Sequence, residues 1–454
     1  DVIVIGGGAG GYAAAIRAAQ LGARVALVEQ TELGGICVNR GCIPTKVWLK
    51  AAESLRRIRS AEAFGIRAVV EKVDLATIVA QKNSSCQKIR SGMEGLLANN
   101  GIEVIKGHAV FKNPQEIDVE GRRCSAQNFI IATGGRTQVP DLAGLPEALI
   151  TTDQILDMQA VPASVLICGA DTIEVEIASL LNTLGSQVFL STETRFVLPR
   201  EDHDSGQRLG QALSEDGVKI LARSKLQSVK ASPQGFICEL TGSKDRTVEV
   251  AGVLFARREA RTADLDLAQA GIEVRPAAGI GVNDYLQTST PGIFAIGDVT
   301  GGTMQSHAAS AMGVTAAENA LGQAVQFPFH LIPRGTWTFP EVASVGLTEE
   351  EAEKQGLEIE VGYFPYSING LAIARNETFG AVKIIKDAAY GIIYGVHIVG
   401  PHATELVGEA VLAMQLEYNA DELAASIRIH PTFSEAIVDA ARDAEKWALY
   451  LPKR

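Results

Sequence analysis

Residues 1–11 read DVIVIGGGAGG and specify the fold of the first part of the chain. A short apolar run is followed by the spacing G-x-G-x-x-G, which Gly6, Gly8 and Gly11 provide. The apolar run predicts a buried parallel strand, and the alanine-rich sequence from Tyr12 predicts a helix that packs closely on a sheet.

A second strand is predicted for residues 24–28, and it ends at the acidic residue Glu29. Strand, glycine turn, helix, strand and acid therefore follow one another in the order of a dinucleotide-binding unit. The glycines let backbone N–H groups approach a pyrophosphate at the helix N-terminus, and the acid binds a ribose hydroxyl.

Residues 35–46 read GICVNRGCIPTK and place two cysteines, Cys37 and Cys42, five positions apart just after this unit. Such a pair can open and close a disulfide. Pro44 is compatible with the first turn of a helix, so Cys42 is expected at a helix N-terminus, where the dipole favours a thiolate. Two unrelated core cysteines or a structural disulfide are the alternatives. A zinc half-site fits poorly, because the spacing is wide and no second pair follows, and no metal site is predicted.

The chain resembles the flavoprotein disulfide reductases, also called pyridine nucleotide-disulfide oxidoreductases, and among them most closely the dihydrolipoamide dehydrogenases. The resemblance covers the whole chain and implies that the first glycine turn binds FAD. It also implies that Cys37 and Cys42 form the redox disulfide beside the flavin. Further residues are expected at FAD because they match family motifs: Thr133 and Gly134 of A-T-G, Gly297 and Asp298 of the second FAD motif, and Met304 and His307, which begin a helix facing the flavin.

The tail motif HPTFSE, residues 430–435, resembles the family's acid/base motif. The resemblance implies that His430 takes a proton from a substrate thiol and that Glu435 orients it. Cys37 is then the sulfur that the substrate attacks, and Cys42 the sulfur next to the flavin. In relatives the histidine serves the disulfide of the other subunit, so a homodimer is implied.

A second strand–turn–helix unit starts at Ser164 and departs from the family pattern G-G-G-x-I-G-x-E. Gly169 is retained, but Asp171 and Glu174 stand where the other two fingerprint glycines belong. Two unit charges 4 Å apart at an effective dielectric constant near 20 interact by about 4 kcal/mol, so these carboxylates are expected to repel a pyrophosphate. Weak NAD(H) binding is therefore predicted. The alternative is a tolerant turn that binds NAD in a shifted pose.

Other positions divide into retained and altered ones. Glu176 matches the family glutamate that pairs with the lysine of the redox motif, here Lys46. Thr192 stands where many NAD-using members have a ribose-binding acid, Arg257 replaces a glycine near the nucleotide, and Arg428 replaces a histidine of H-x-H-P-T. The flavin side of the site is therefore predicted to be intact and the nicotinamide side altered.

Composition limits the possible partners. The chain has 454 residues, of which 46% are hydrophobic and 21% charged, and its net charge is −12. Because the sequence is acidic overall and contains no basic runs, nucleic acid and anionic membranes are not expected as partners. No apolar stretch has membrane-spanning length. Six dispersed cysteines do not indicate a secreted disulfide scaffold, and a reducing cytosol suits a catalytic disulfide, so a cytoplasmic location is expected.

The predicted fold class is α/β, with two Rossmann-like dinucleotide-binding domains of FAD and NAD type and a C-terminal α+β dimerisation domain. The predicted segments are residues 1–145 for FAD and the disulfide, 146–260 for the NAD-type domain, 261–326 for the second FAD segment and 327–454 for dimerisation. The predicted activity passes electrons from a dithiol, such as a lipoyl group on a carrier protein, to FAD and then to NAD or another acceptor.

Alternatives to this activity are a glutathione reductase-like enzyme and an FAD-bearing binding or assembly protein without nicotinamide turnover. Mercuric and thioredoxin reductases of this family need a cysteine pair near the C-terminus, which the sequence of residues 448–454 lacks.

Overall fold

The computed structural model describes residues 1–275 and 278–452. The chain divides into two compact units. Unit 1 comprises Asp1–Val139, Thr151–Ala160 and Arg257–Pro328, and unit 2 comprises Pro140–Ile150, Val161–Ala256 and Phe329–Arg454.

The strands are short and are spread over both units. They are β1 (Val2–Ile5), β2 (Val25–Glu29), β3 (Glu103–Lys106), β4 (Ala109–Asn113), β5 (Glu116–Val119), β6 (Arg122–Ser125), β7 (Asn128–Ile131), β8 (Gly135–Thr137), β9 (Leu149–Ile150), β10 (Ser164–Cys168), β11 (Gln187–Thr192), β12 (Lys219–Ala222), β13 (Ser224–Ser232), β14 (Gly235–Gly242), β15 (Arg246–Val250), β16 (Val253–Phe255), β17 (Arg258–Ala260), β18 (Val274–Arg275), β19 (Gly279–Ile280), β20 (Ile293–Ala295), β21 (Arg334–Thr336), β22 (Glu341–Gly346), β23 (Ile359–Pro365), β24 (Ala381–Asp387) and β25 (Ile393–Gly400).

The α-helices vary from one turn to seven turns. They are α1 (Ala9–Gln20), α2 (Gly35–Arg40), α3 (Cys42–Ser60), α4 (Leu75–Asn99), α5 (Leu145–Ala148), α6 (Thr152–Leu156), α7 (Thr172–Thr183), α8 (His203–Glu215), α9 (Ser306–Ala320), α10 (Glu349–Lys354), α11 (Gly370–Ala374), α12 (Ala403–Gln415), α13 (Ala420–Ala425) and α14 (Glu435–Ala444). Short 3₁₀ turns occur at Ala61–Phe64, Leu267–Ala270, Gly297–Thr300, Phe329–Leu331 and Tyr366–Ile368.

Unit 1 is built on a parallel sheet with strand order β20-β7-β1-β2-β3. All four residues of β1 are buried, as expected for a strand with neighbours on both sides and helices on its faces. The edge strand β20 lies far along the chain from the other four strands of this sheet. The first glycine turn follows β1, at the carboxyl end of the sheet, where α/β folds bind their ligands.

Small residues set the distance between the two helices that pack on this sheet, α1 and α9. A Cβ atom on Gly10 would lie 2.9 Å from the carbonyl oxygen of Ala309, and one on Gly313 would lie 2.4 Å from that of Gly10. Arg17 closes the contact with an ion pair to Glu318, whose Oε1 accepts from Arg17 Nε at 2.9 Å. The alanine and glycine content of α1 is therefore explained by backbone-to-backbone packing.

Unit 2 contains a second parallel sheet, with strand order β12-β11-β10-β16-β9, and a three-stranded antiparallel sheet, β13-β14-β15. Helix α7 follows β10 through the second glycine turn. The C-terminal part of unit 2 contains an antiparallel sheet with strand order β21-β22-β25-β24-β23. A large apolar core that includes Phe364, Tyr366 and Phe433 joins this sheet to α12, α13 and α14.

The predicted α/β class is confirmed, with two parallel sheets that each lead into a glycine turn and a C-terminal α+β part. The predicted segment boundaries stay predictions. One helix start was predicted wrongly, because α9 begins at Ser306 and not at Met304. Met304 has a φ of 57°, a left-handed conformation that cannot belong to a right-handed helix. Within the described residues, no helix combines the length and the apolar character needed to cross a membrane.

Replacement of Gly11 by alanine should destabilise unit 1, because the added Cβ atom would lie 1.8 Å from the carbonyl oxygen of Gly6. Relieving such a backbone clash costs about 1–3 kcal/mol or more. Gly95→Ala in α4 is the matched control, since nothing lies within 4 Å of its added Cβ atom. That change should stabilise the protein by about 0.5–1 kcal/mol. Urea unfolding of both variants checks this, and an alanine at position 11 that leaves the midpoint unchanged would contradict it.

Candidate active site

The two cysteines of the redox motif lie side by side in unit 1. Cys37 is on α2, and Cys42 is the first residue of α3, as predicted. Both are reduced thiols in this structure. A hydrogen bond with Cys42 raises the pKa of the Cys37 thiol, and burial raises it further, whereas the hydroxyl of Ser306 and the charge of Lys46 lower it. The two sulfurs are therefore close enough to react with each other.

Ser306 lies against this pair. Its Oγ is 3.3 Å from Cys42 Sγ, and it is the first residue of α9. The N-termini of two helices, α3 and α9, thus lie next to the Cys42 sulfur atom. The partial positive charge of a helix N-terminus favours a thiolate, so both helices favour charge on Cys42.

Side chains on neighbouring segments hold α2 in place. The amide nitrogen of Asn39 donates to the carbonyl oxygens of Leu33 and Gly35, at 3.0 and 2.8 Å, and its oxygen accepts from Arg90 at 2.7 Å. Gly35 packs directly on the first glycine turn, where a Cβ atom on it would lie 2.8 Å from the Cα atom of Gly8. The redox segment is therefore anchored to the turn that precedes it.

The first glycine turn has the geometry of a phosphate cradle. Gly8 is the N-cap of α1 and, as a glycine, makes no side-chain capping bond to the first N–H groups of the helix. Gly6 has a φ of 106°, and a Cβ atom on it would lie 2.3 Å from the carbonyl oxygen of Ala132. Gly6 therefore packs against neighbouring backbone, and the N–H groups at the start of α1 provide hydrogen-bond donors for a phosphate.

Glu29 ends β2 beside this turn. Its Oε2 accepts from the Gly7 N–H at 2.7 Å, and its Oε1 accepts from the Thr31 N–H at 2.7 Å. The Thr31 hydroxyl also donates to Oε1, at 3.0 Å. Of the about four acceptor positions of a carboxylate, one therefore remains for a ribose hydroxyl. Glu29 also lines a cavity of about 380 Å³ together with Glu32, Leu33, Arg90 and Glu94. This is the size range of small-molecule pockets.

Asp298 lies in the short 3₁₀ turn Gly297–Thr300, and its side chain is 16% exposed. Burial raises the pKa of its carboxyl group, and the guanidinium of Arg258, 3.8 Å away, opposes that shift. Gly297 has a φ of 70° and lies against Ala309 of α9. Asp298 is therefore a partly buried carboxylate next to a cation, near the start of α9.

The remaining predicted FAD residues of unit 1 lie around the same sheet edge. The hydroxyl of Thr133 donates to the carbonyl oxygen of Arg261 at 3.1 Å, and the carbonyl oxygen of Gly134 accepts from the Arg261 N–H at 3.0 Å. His307 is the second residue of α9, while Met304 precedes the helix. Lys46 is in the first turn and a half of α3.

The second glycine turn, in unit 2, is occupied by side chains. Asp171 is the N-cap of α7, and its Oδ1 accepts from the Thr172 N–H at 2.9 Å. Its Oδ2 lies 2.9 Å from Nη2 of Arg200. Gly169 has a φ of 112°, and Glu176 accepts a hydrogen bond from the Trp337 N–H at 3.0 Å. The predicted pairing of Lys46 with Glu176 stays a prediction.

The acid/base motif forms a local pair in unit 2. Nδ1 of His430 lies 2.8 Å from Oε1 of Glu435, and Oε2 of Glu435 accepts from the Thr432 N–H at 2.7 Å. The carboxylate therefore fixes both the ring and the backbone of the loop. The His430 side chain is 77% exposed, so its other nitrogen is open to a substrate.

Arg428 supports the loop that carries His430. It forms an ion pair with Glu409 of α12 and donates to the carbonyl oxygen of Ile427 at 3.1 Å. Burial lowers the pKa of its guanidinium group. The residue that replaces the expected histidine thus ties the loop to a helix of the C-terminal core.

Comparison with known proteins identifies the family. Residues 1–313 match the model described as pyridine nucleotide-disulphide oxidoreductase, and residues 332–441 match the dimerisation domain of the same enzymes. The chain belongs to this family.

Similar proteins agree with that assignment. The dihydrolipoyl dehydrogenase of Thermus scotoductus is 38% identical over 461 residues, which cover 100% of this chain and 99% of the relative. That of Bacillus subtilis is 36% identical over 96% of this chain and 97% of its own length. Among solved structures, LpdA from Mycobacterium tuberculosis has a TM-score of 0.88 at 26% identity, covering 97% of this chain and 99% of that one. The HOCl-induced flavoprotein disulfide reductase RclA from Escherichia coli has a TM-score of 0.85 at 27% identity, covering 97% and 98%.

The chain is therefore a dihydrolipoyl dehydrogenase-like flavoprotein disulfide oxidoreductase, as the sequence predicted. Members of this family use FAD and NAD(H). The open N-terminus of α1, the carboxylate of Glu29 and the cavity beside it fit FAD. The roles assigned to individual site residues stay predictions.

Two contacts at the site of this oxidoreductase were not found from the sequence. Ser306 lies between the predicted residues Met304 and His307, but nothing in a serine indicates that its hydroxyl meets a cysteine 264 positions earlier. Arg200 was not singled out either. Arg200 lies in the loop between β11 and α8, where no sequence pattern points to Asp171, and only the fold brings the two residues together.

Ser306→Ala should raise the pKa of the sulfur pair in the reduced oxidoreductase, because it removes a hydroxyl that hydrogen-bonds the thiolate form. A hydrogen bond to a charged group contributes about 1.5–3 kcal/mol, so a shift of roughly one to two pKa units is expected. The pH dependence of iodoacetamide alkylation of the reduced protein measures it.

Ser310→Ala is the control for this change. Ser310 lies one turn further along α9, and its hydroxyl donates to the carbonyl oxygen of Ala9 at 3.2 Å instead. It should leave the alkylation profile unchanged. Identical profiles for Ser306→Ala and the unmodified protein would show that the hydroxyl does not act on the sulfurs.

Proposed function

We propose that the chain oxidises a dithiol, such as a lipoyl group on a carrier protein, through a disulfide formed by Cys37 and Cys42. Bound FAD would take up the electron pair and pass it on to a further acceptor. The observation that carries this proposal is the contact of both cysteines with each other and with Ser306, at the point where α3 and α9 begin.

Two thiol–disulfide exchange steps transfer the electron pair of the dithiol to Cys37 and Cys42. A substrate thiolate attacks Cys37, the Cys37–Cys42 bond breaks, and Cys42 leaves as a thiolate. The second substrate thiolate then attacks the sulfur bound to Cys37, so the substrate leaves as a disulfide and both cysteines are reduced. Bound FAD supplies the acceptor for this electron pair. The helix N-termini at Cys42 favour the thiolate that the first step releases.

His430 serves as the base of this reaction in the proposal. An imidazole is the side chain that most often serves as a general base, and it can accept the proton of a thiol. Glu435 orients the ring through its bond to Nδ1, which leaves Nε2 as the nitrogen that takes the proton. The same carboxylate would stabilise the imidazolium that forms.

A homodimer completes the site in this proposal, with His430 of one subunit serving the disulfide of the other. The match of residues 332–441 to a dimerisation domain supports it. Ile427 and Ile429, which flank the histidine loop, are 96% and 80% exposed in the single chain, as expected for residues that a second subunit covers. We also propose a cytoplasmic location, because a reducing cytosol suits a catalytic disulfide.

Cys37→Ser and Cys42→Ser should each abolish oxidation of dihydrolipoamide, because either change leaves one sulfur without its partner. Cys124→Ser is the control, since Cys124 is also partly exposed but lies on β6, outside the site. Steady-state oxidation of dihydrolipoamide with ferricyanide as acceptor measures all three. Full activity in either of the first two variants would refute the disulfide.

His430→Ala should slow dihydrolipoamide oxidation by roughly 10²–10⁴-fold, the usual effect of a lost acid/base group, with unchanged flavin content.

Mixing the His430→Ala variant with the Cys42→Ser variant tests whether the two subunits share each site. Mixed dimers contain one complete site, so random reassortment of the subunits should restore roughly a quarter of the activity. If reassorted dimers form but stay inactive, the two residues do not meet across a subunit interface.

A further inference from the structure

The two glycine turns of this chain can be compared position by position. Gly6 donates to the carbonyl oxygen of Val28 at 2.8 Å, and Gly169 donates to that of Ser191 at 2.9 Å. Strand registers agree, since Ile5 pairs with Val28 and Cys168 with Ser191. Gly8 therefore corresponds to Asp171, Gly11 to Glu174, and Glu29 to Thr192.

The N-cap positions have the same backbone but opposite surroundings. Gly8 has φ −74° and ψ −173°, and Asp171 has φ −87° and ψ −174°. At Gly8 the helix N-terminus is open, whereas at Asp171 a carboxylate oxygen already accepts from the first N–H of α7. An anion of the chain itself thus lies where a pyrophosphate would bind.

Arg200 holds that carboxylate in place. Its Nη2 lies 2.9 Å from Oδ2 of Asp171. The segment leading to Arg200 is tied to the same turn, because the Leu198 N–H donates to the carbonyl oxygen of Ala170 at 2.7 Å. The Arg200 guanidinium is therefore engaged by the internal anion and not directed at a ligand.

Glu174 fills the space under the turn. It is 1% exposed, and its carboxyl carbon lies 3.2 Å from the position of a Cβ atom on Gly169. In the first turn the corresponding Gly11 brings the helix directly against the carbonyl oxygen of Gly6. The second turn is thus supported by a carboxylate where the first is supported by backbone contact.

The ribose position has changed as well. Thr192 is 4% exposed, and its hydroxyl lies 2.7 Å from that of Thr194. Glu29, by contrast, ends its strand with a carboxylate beside an open cavity. The three positions that hold a dinucleotide in the first fold therefore do not fit one in the second.

We propose that the second nucleotide-binding fold is self-capped, with the Asp171 carboxylate in the place of the dinucleotide pyrophosphate, and that it binds neither NAD(H) nor NADP(H). The inference concerns unit 2 and does not depend on the dithiol chemistry proposed for Cys37 and Cys42. It makes the fold a structural part of this enzyme and separates the chain from relatives that bind a nucleotide there.

Titration of the FAD-loaded protein with NADH, followed by NADH fluorescence, tests the proposal. The unmodified protein should show no saturable binding up to millimolar NADH. Asp171→Gly combined with Glu174→Gly should bind at least tenfold more tightly, because it opens the helix N-terminus and frees Arg200 for the phosphates. The same variant should unfold at a lower temperature, since it loses an N-cap. A gain in binding together with a loss of stability is specific to a self-capped turn.

Asp74→Gly is the matched control. Asp74 caps α4 in unit 1 by accepting from the Ala76 and Thr77 N–H groups. Its loss should lower the unfolding temperature without any gain in NADH binding. If the double variant does not fold, Asp171→Asn replaces it, because asparagine keeps the cap but removes the charge, and a several-fold gain is then expected.

Two outcomes would overturn the proposal. One is saturable NADH binding by the unmodified protein in the micromolar range. The other is a folded double variant that binds NADH no better than the unmodified protein does. Anaerobic reduction of the flavin by dihydrolipoamide is followed in every variant. It reports on the dithiol reaction alone, so a failure there is distinguished from a failure of the self-capped turn.

Discussion

The contact between Gly11 and the carbonyl oxygen of Gly6 is the constraint on which the site depends. With no side chain between them, α1 starts directly behind β1 and its N-terminal N–H groups face the edge of the sheet. Gly35 packs on the same turn, so the redox segment takes its position from it. α1 in turn positions α9 through Gly10 and Gly313, and α9 carries Ser306 to the sulfur pair. One backbone contact thus fixes the cofactor cradle and the surroundings of both cysteines.

Much of this arrangement could be predicted from the sequence because its determinants are local. The strand, the glycine turn and the helix follow one another within residues 1–20, and Cys42 begins a helix two residues before Pro44. The His430–Glu435 pair is five residues apart and forms within one loop. For such features, spacing and residue type contain the geometric information.

Other features could not be predicted because they depend on distant parts of the chain. The Ser306 hydroxyl reaches Cys42, Arg200 reaches Asp171, and Arg428 reaches Glu409 only after the sheets have formed. From the sequence, Asp171 was recognised as a departure from the glycine pattern, and its carboxylate was expected only to repel a pyrophosphate in an open turn. The structure gives it two specific partners, the Thr172 N–H and Arg200, so its role as a cap could not be inferred from charge alone. The start of α9 was predicted wrongly because nothing in a methionine side chain indicates the left-handed backbone that Met304 adopts.

The distance along the chain between Cys42 and Ser306 also has a consequence for biosynthesis. The residues that bracket the sulfur pair are separated by 264 positions, and β20, the last strand of the same sheet, is made after residue 290. At a synthesis rate of about 5–20 residues per second, roughly 13–50 s pass between the two ends of this contact. During that interval the cysteines are on the nascent chain without the helix that covers them, and the sheet lacks an edge strand. Until the fold encloses them, the two thiols depend on the reducing capacity of the compartment in which the ribosome works to keep them from pairing with other thiols.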